Sequence, residues 1–163
     1  VSKTGLVTIT GGKWTTYRKM AEDTVNLAIR TKGLPFCKCH TKSLKIHGYR
    51  ENSNESTWIS IYGSDQEEIL NLYKQDPALT EKLHPDFDFT SGEVVWAVRK
   101  EMARTIDDVL ARRVRALYLD AKASLSMAPK VASLMAKELR KDKAWEEAQV
   151  KEYAEMASSY TIS

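Results

Sequence analysis

Three times between residues 64 and 108, this sequence places a hydroxyl residue three positions ahead of a carboxylate at the edge of an apolar run. Ser64 with Glu67 precedes Ile69, Leu70 and Leu72. Thr90 with Glu93 opens a run carrying Val94, Val95, Val98 and Met102. Thr105 with Asp108 frames Ile106, Val109 and Leu110. Such a pair forms a capping box, in which hydroxyl and carboxylate satisfy amide donors at the start of a helix. A chain punctuated in this way folds as a series of short, separately capped helices. Pro77 suits the first position of another short helix. Asp120 starts a further one, and Pro129 begins or kinks a helix bearing Val131, Leu134, Met135 and Leu139. Lys143 to Ser158 closes the chain, with Trp145, Ala148, Tyr153, Met156 and Ala157 as its apolar stripe. The expected fold class is mainly α: a compact bundle of about five or six helices over residues 64–163.

The front of the chain follows a different rule. Gly5 to Thr10 is a short β-rich run that Gly11-Gly12 interrupts. From Thr15 the spacing of Tyr17, Met20, Ala21, Val25 and Ala28 turns helical, until Gly33-Leu34-Pro35 stops it. Residues 1–34 therefore read as strand, glycine turn and helix. One strand and one helix cannot fold alone, so they are expected to be an orphan from an upstream α/β domain. Residues 35–63 read as a connector, with one short strand over Ser43 to His47 and a polar, exposed stretch over Glu51 to Thr57.

Within Thr10 to Arg18, T-G-G-K-W-T-T-Y-R, two glycines let the backbone turn sharply and come close to a ligand. The helix that follows presents unpaired amides and the positive end of its dipole. Thr15 and Thr16 are placed to cap it, and Lys13 adds a charge. The result is either an anion site or a plain strand-to-helix turn.

Charge is distributed unevenly. Residues 1–50 hold ten Lys/Arg against two Asp/Glu, a net of +8, while residues 51–163 carry a net of −5. The front favours an anionic neighbour, and the acidic remainder argues against an extended nucleic-acid surface. At 42% hydrophobic and 29% charged residues, the composition is that of a folded globular chain. No apolar run nears the roughly 20 residues of a membrane span, and no signal peptide is visible. The first residue is Val, as expected of a fragment or a processed product.

Cys37 and Cys39 stand one residue apart, a spacing poor for a disulfide. No metal site is expected from them and His40, and free thiols fit a reducing compartment. His40, His47 and His84 are scattered. Arg112, Arg113 and Arg115 read as an ion-pair network with Asp107, Asp108, Glu101 and Asp120, or alternatively as a site for an anionic lipid, quinone or nucleic acid.

The string G-L-V-T-I-T-G-G-K-W-T-T-Y-R-K-M-A-E-D closely resembles the last strand and helix of the flavin domain in FAD-dependent glycerol-3-phosphate dehydrogenases, of the D-amino-acid-oxidase-like flavoprotein group. Gly92 to Ala121 and A-P-K-V-A-S-L-M-A-K-E-L resemble the C-terminal helical domain of the same family, with Val114 where Thr is more usual. The resemblance implies an FAD cofactor in the full-length enzyme. Gly11, Gly12, Lys13, Trp14, Thr15 and Thr16 would lie at the flavin's pyrimidine edge, and Lys13 and Arg18 are candidates for substrate phosphate. For Arg18 an ion pair within the protein is the favoured reading. No catalytic base and no metal ligand is assigned to these residues. The implied reaction is oxidation of sn-glycerol 3-phosphate to dihydroxyacetone phosphate, with electrons passed to quinone. An oxidase using oxygen, or a small helical binding module, are the alternatives. The implied partners are upstream FAD and substrate domains of the same chain and quinone, with no nucleic acid and with room for a homodimer. The implied location is cytoplasmic, peripheral on the inner face of the cell membrane. The FAD-diphosphate fingerprint is absent from these residues, so the chain alone is expected to be inactive.

Overall fold

A computed structural model describes residues 1–51 and 57–161. The chain divides into two compact units, Val1–Tyr49 and Arg50–Ser163. Part of the polar stretch Glu51 to Thr57 lies outside the described residues.

The first unit is built on α1 (Tyr17–Lys32). Its C-terminus ends as the sequence requires. Gly33 adopts φ 62°, ψ 29°, its N–H bonds to the Arg30 carbonyl, and the Leu34 N–H reaches back to the Ile29 carbonyl at 3.0 Å. These two bonds form a Schellman motif, which only a residue tolerant of positive φ closes at low cost. No residue from 1 to 49 is buried. Leu6, Ile9, Trp14, Tyr17 and Val25 are all about half exposed or more.

Leu6 to Thr10 makes no ladder, because a strand's hydrogen bonds need a second strand and the described residues offer none. The same reason corrects the strand expected over Ser43 to His47, which is turn and coil. Among the described residues the β pairing is a single antiparallel bridge between Lys82 and Thr90.

The second unit is a helical bundle. It comprises α2 (Gln66–Gln75), α3 (Ser91–Lys100), α4 (Ile106–Leu110), α5 (Ala116–Leu119), α6 (Ala121–Leu139) and α7 (Lys143–Ser158), with 3-10 segments at Trp58–Asp65 and Pro77–Thr80. The long α6 is the spine, packing against α3, α4, α5 and α7. Met127, Val131 and Met135 from α6 are fully buried among Val94, Ile106, Val109, Leu110 and Ala157. Truncating one such side chain to Ala costs about 2–5 kcal/mol. A smaller cluster, Ile59, Ile69 and Trp96, fixes the first 3-10 segment and α2 against α3.

Several boundaries follow from the capping chemistry. Thr105 and Asp108 exchange both bonds of a box: the Thr105 N–H to Asp108 Oδ2 at 3.1 Å, and the Asp108 N–H to Thr105 Oγ1 at 3.3 Å. Asp76, Asp120 and Asp142 each accept an amide two or three residues ahead. The Ser64–Glu67 box does not form. Helix α2 starts at Gln66, and the Gln66 N–H already has the Gly63 carbonyl of the preceding 3-10 segment as partner. Pro129 begins no helix either, for α6 runs through it from Ala121. Met102 leaves the apolar face expected of it: α3 ends at Lys100, and Met102 sits at φ 57° with its side chain 77% exposed.

Candidate functional site

Gly11 and Gly12 adopt φ +78° and +109°, conformations that an L side chain rarely takes. At Gly12 an added Cβ would also meet Met20 Sδ, the far end of a flexible side chain, so the positive φ is what calls for glycine at both positions. The turn delivers Lys13 to the start of α1. Thr16 holds the turn. Its hydroxyl accepts the Lys13 N–H at 2.9 Å and donates to the Lys13 carbonyl at 3.1 Å, while its own N–H bonds that carbonyl at 2.9 Å. Thr16 thus braces Lys13 and does not cap the helix by its side chain, contrary to the sequence expectation. The first amides of α1 stay open at the positive end of the dipole.

Around this turn lies an open concavity of about 640 Å³, lined by Ile9, Gly11, Gly12, Lys13, Trp14, Tyr17 and Met20 among others. Trp14 is 84% exposed and stacks on Tyr17 with ring centroids 5.0 Å apart. Thr15 is exposed, and Lys13 makes no ion pair among the described residues. Arg18 is different. Its guanidinium donates to Glu22 Oε2 at 2.7 Å and to Thr41 Oγ1 at 3.2 Å. The hydrogen bond from Glu22 raises the Arg18 pKa above its ordinary value. The structure therefore gathers Gly11, Gly12, Lys13, Trp14 and Thr16 at one turn and commits Arg18 to a carboxylate within its own helix.

The arginine cluster resolves into ion pairs. Arg112 reaches Asp107 and Asp108 at 2.6 Å each. Arg113 binds Glu101 Oε2 at 3.0 Å, and also the Glu101 and Asp108 carbonyls. Asp120 is used instead as the cap of α6. Arg115 stands exposed at φ 59°, with no ion pair among the described residues. Beside this cluster is a cleft of about 520 Å³ lined by Asp107, Arg112, Tyr118, Glu152, Tyr153 and Tyr160 with four neighbours.

Sequence reasoning assigned Glu93 a capping role and nothing more. It is 1% exposed, accepting the Thr90 N–H on Oε2 at 2.7 Å and the Tyr62 hydroxyl on Oε1 at 3.0 Å. Burial pushes its pKa up to about 7 against these hydrogen bonds. A carboxylate directly before Val94-Val95-Trp96 was the signal available in the sequence. Among the described residues, no group of three or more His, Cys, Asp or Glu is placed to hold a metal ion.

The model of one protein family, described as the C-terminal domain of alpha-glycerophosphate oxidase, matches residues 2–149. The chain belongs to this family. A Caenorhabditis elegans protein named probable glycerol-3-phosphate dehydrogenase, mitochondrial, is 35% identical over 98% of this chain and 24% of its own length. The glycerol-3-phosphate dehydrogenases, mitochondrial, of Macaca fascicularis and Homo sapiens are 31% and 30% identical with the same coverage. The chain thus spans about a quarter of the length of these relatives. No solved structure matches it.

Proposed function

We propose that this chain is the C-terminal part of an FAD-dependent glycerol-3-phosphate dehydrogenase. The whole enzyme would oxidise sn-glycerol 3-phosphate to dihydroxyacetone phosphate and pass the electrons to quinone. The observation that carries this reading is the alignment of proteins named for that activity over 98% of the chain, glycine turn included. The structure offers a physical test of whether these residues suit a flavin. Two positive-φ glycines leave the backbone uncovered, the N-terminal amides of α1 are open, and Lys13 is unpaired beside them. These features suit an electron-rich ring edge that gains negative charge.

FAD, when bound, supplies the hydride acceptor. Gly11 and Gly12, with no side chain, would leave the backbone open to the flavin at this turn. Thr16 holds the Lys13 backbone in place, and Lys13 with the α1 dipole would stabilise negative charge arriving there. Trp14 and Thr15 would be the neighbouring contacts. Arg18, held by Glu22, acts as a positioning residue more than as a phosphate ligand. The remaining FAD and substrate contacts come from other domains of the longer protein, so the present chain alone is inactive. The names of the relatives favour a mitochondrial location over a cytoplasmic one. Among the described residues no helix is long and apolar enough to cross a membrane, which fits peripheral attachment.

The test is anaerobic addition of glycerol 3-phosphate to the purified full-length protein. Bleaching of the flavin band, followed by faster reoxidation with a quinone than with oxygen, is the expected result. Reoxidation by oxygen with release of peroxide would make the protein an oxidase. Absence of bleaching would remove the reading altogether.

A further inference from the structure

The first unit contains a second feature that the flavin reading leaves unused. A groove of about 680 Å³ runs along α1 and takes both Cys37 and Cys39 into its lining, together with Arg18, Glu22, His40 and Thr41. The two residues stand at i and i+2, positions that share one face of an extended segment, and both face the same groove. Both are free: Cys37 is exposed and Cys39 half-buried.

The two sulfurs have different surroundings. Cys39 Sγ lies 3.0 Å from Thr41 Oγ1, and that oxygen accepts an N–H from the Arg18 guanidinium at 3.2 Å. The Thr41 hydroxyl, with one lone pair taken by the guanidinium, has its hydrogen available to the sulfur, and a bond donated that way favours the thiolate. The Thr41 hydrogen bond is the leading cause of a lowered Cys39 pKa, with Glu22 opposing it and Arg18 assisting. Cys37 has only a weak contact with the Lys38 carbonyl, at 3.9 Å. Exposed Lys38 and Lys42 flank the pair and attract anions.

We propose that Cys39 and Cys37 form a two-step thiol pair that reacts with small anionic disulfides of the glutathione class. In the first step Cys39 Sγ, as thiolate, attacks one sulfur of the small disulfide. The new Cys39–sulfur bond forms, the old sulfur–sulfur bond breaks, and one small thiolate leaves and takes a proton from water. In the second step Cys37, on losing its proton to water, attacks Cys39 Sγ. A Cys37–Cys39 bond forms and the second small thiolate departs. The protein pair is oxidised by two electrons and the small disulfide is reduced to two thiols. Neither metal nor flavin takes part. The segment is coil, so the backbone can adjust to bring the two residues within disulfide reach.

The pair can be tested on the full chain by peptide mass spectrometry after exposure to oxidised glutathione. Cys37→Ser is expected to accumulate a stable glutathione adduct on Cys39. Cys39→Ser should acquire its adduct on Cys37 at least several-fold more slowly, because Cys37 Sγ has a contact with the Lys38 carbonyl where Cys39 has the Thr41 hydroxyl. The unaltered chain should pass through a transient adduct to a species two hydrogens lighter. Thr41→Val should slow capture at Cys39 and leave capture at Cys37 unchanged. Cationic cystamine should react more slowly than the anionic disulfide. Equal rates in the two single-cysteine chains, or faster capture at Cys37, would overturn the assignment of Cys39 as the nucleophile. A persistent adduct on the unaltered chain would overturn the role of Cys37. A Thr41→Val variant with undiminished reactivity, or a preference for cystamine, would overturn the Thr41 mechanism or the anionic class respectively.

Discussion

The Tyr62 hydroxyl donates to Glu93 Oε1 at 3.0 Å, joining the first 3-10 segment of the helical unit to the first turn of α3 across an otherwise apolar contact. The partner oxygen of the same carboxyl takes the Thr90 N–H, and Tyr73 reaches Thr90 Oγ1 at 2.9 Å. Tyr62, Thr90 and, through Thr90, Tyr73 are thereby tied to one buried acid.

That acid makes stability depend on pH. Its folded pKa is raised from 4.5 to about 7, mainly by burial. A carboxyl that is harder to ionise in the folded state favours folding while protonated. Its contribution is complete below about pH 4.5, falls as pH rises towards 7, and is then gone. Glu93→Gln removes the charge and keeps one acceptor oxygen for the Thr90 N–H, while its NH2 group can donate to the Tyr62 hydroxyl oxygen. Urea unfolding at pH 5 and pH 8 should show the variant gaining on the parent by about 3 kcal/mol over that interval. A difference between the two that stays constant with pH would refute the buried ionisable state.

Gly92 lies under the ring of Tyr73, where an added Cβ would meet Cε1 at 2.2 Å. Its φ is helical, so the constraint is space and not conformation. Gly92→Ala should destabilise the unit by about 1–3 kcal/mol, as overpacked cores do. Pairing it with Tyr73→Leu should recover part of the loss. An unchanged denaturation midpoint in the single variant would show that Tyr73 moves aside freely.

Ser124 and Tyr153 share a hydrogen bond at the buried α6–α7 contact, with the two residues 0% and 3% exposed. Tyr153→Phe leaves the Ser124 hydroxyl buried and unpaired, which costs about 1–3 kcal/mol. Removing both partners, with Ser124→Ala added, should cost less than the single change. If the double variant is the less stable of the two, the hydroxyl pair is not what couples these helices.

The helical half was legible where a side chain of fixed reach decides the outcome. Thr105 with Asp108, Asp120, and Asp142 before Lys143 are local devices, and the elements begin where they stand. Ser64 failed because the residues before it were already helical, a fact set by Ile59 and Trp96 packing at a distance. Pro129 opens no helix because α6 already runs through it from the Asp120 cap. Ala148, assigned to the apolar stripe of α7, is exposed, and Trp145 is only partly buried while Tyr153 and Ala157 carry the contact. At the glycine turn the structure brings Gly11, Gly12, Lys13, Trp14 and Thr16 together. The engagement of Thr16 with Lys13 and of Arg18 with Glu22 depends on three-dimensional placement that spacing alone does not encode.

The central claim is that Lys13 and the open N-terminus of α1 stabilise negative charge on a flavin in the full-length enzyme. Lys13→Met removes the cation and leaves the glycines and the Thr16 brace intact. The measurement is the flavin midpoint potential of full-length Lys13→Met beside that of the parent, with flavin content determined on both. A potential lower by about 30 mV, equivalent to about 1.4 kcal/mol for two electrons, with flavin content retained and slower reduction by glycerol 3-phosphate, is the predicted result. An unchanged potential would contradict the account: with a steeply raised Michaelis constant, Lys13 would be a substrate-phosphate ligand, and with unaltered kinetics it would be a solvent-facing residue of the turn.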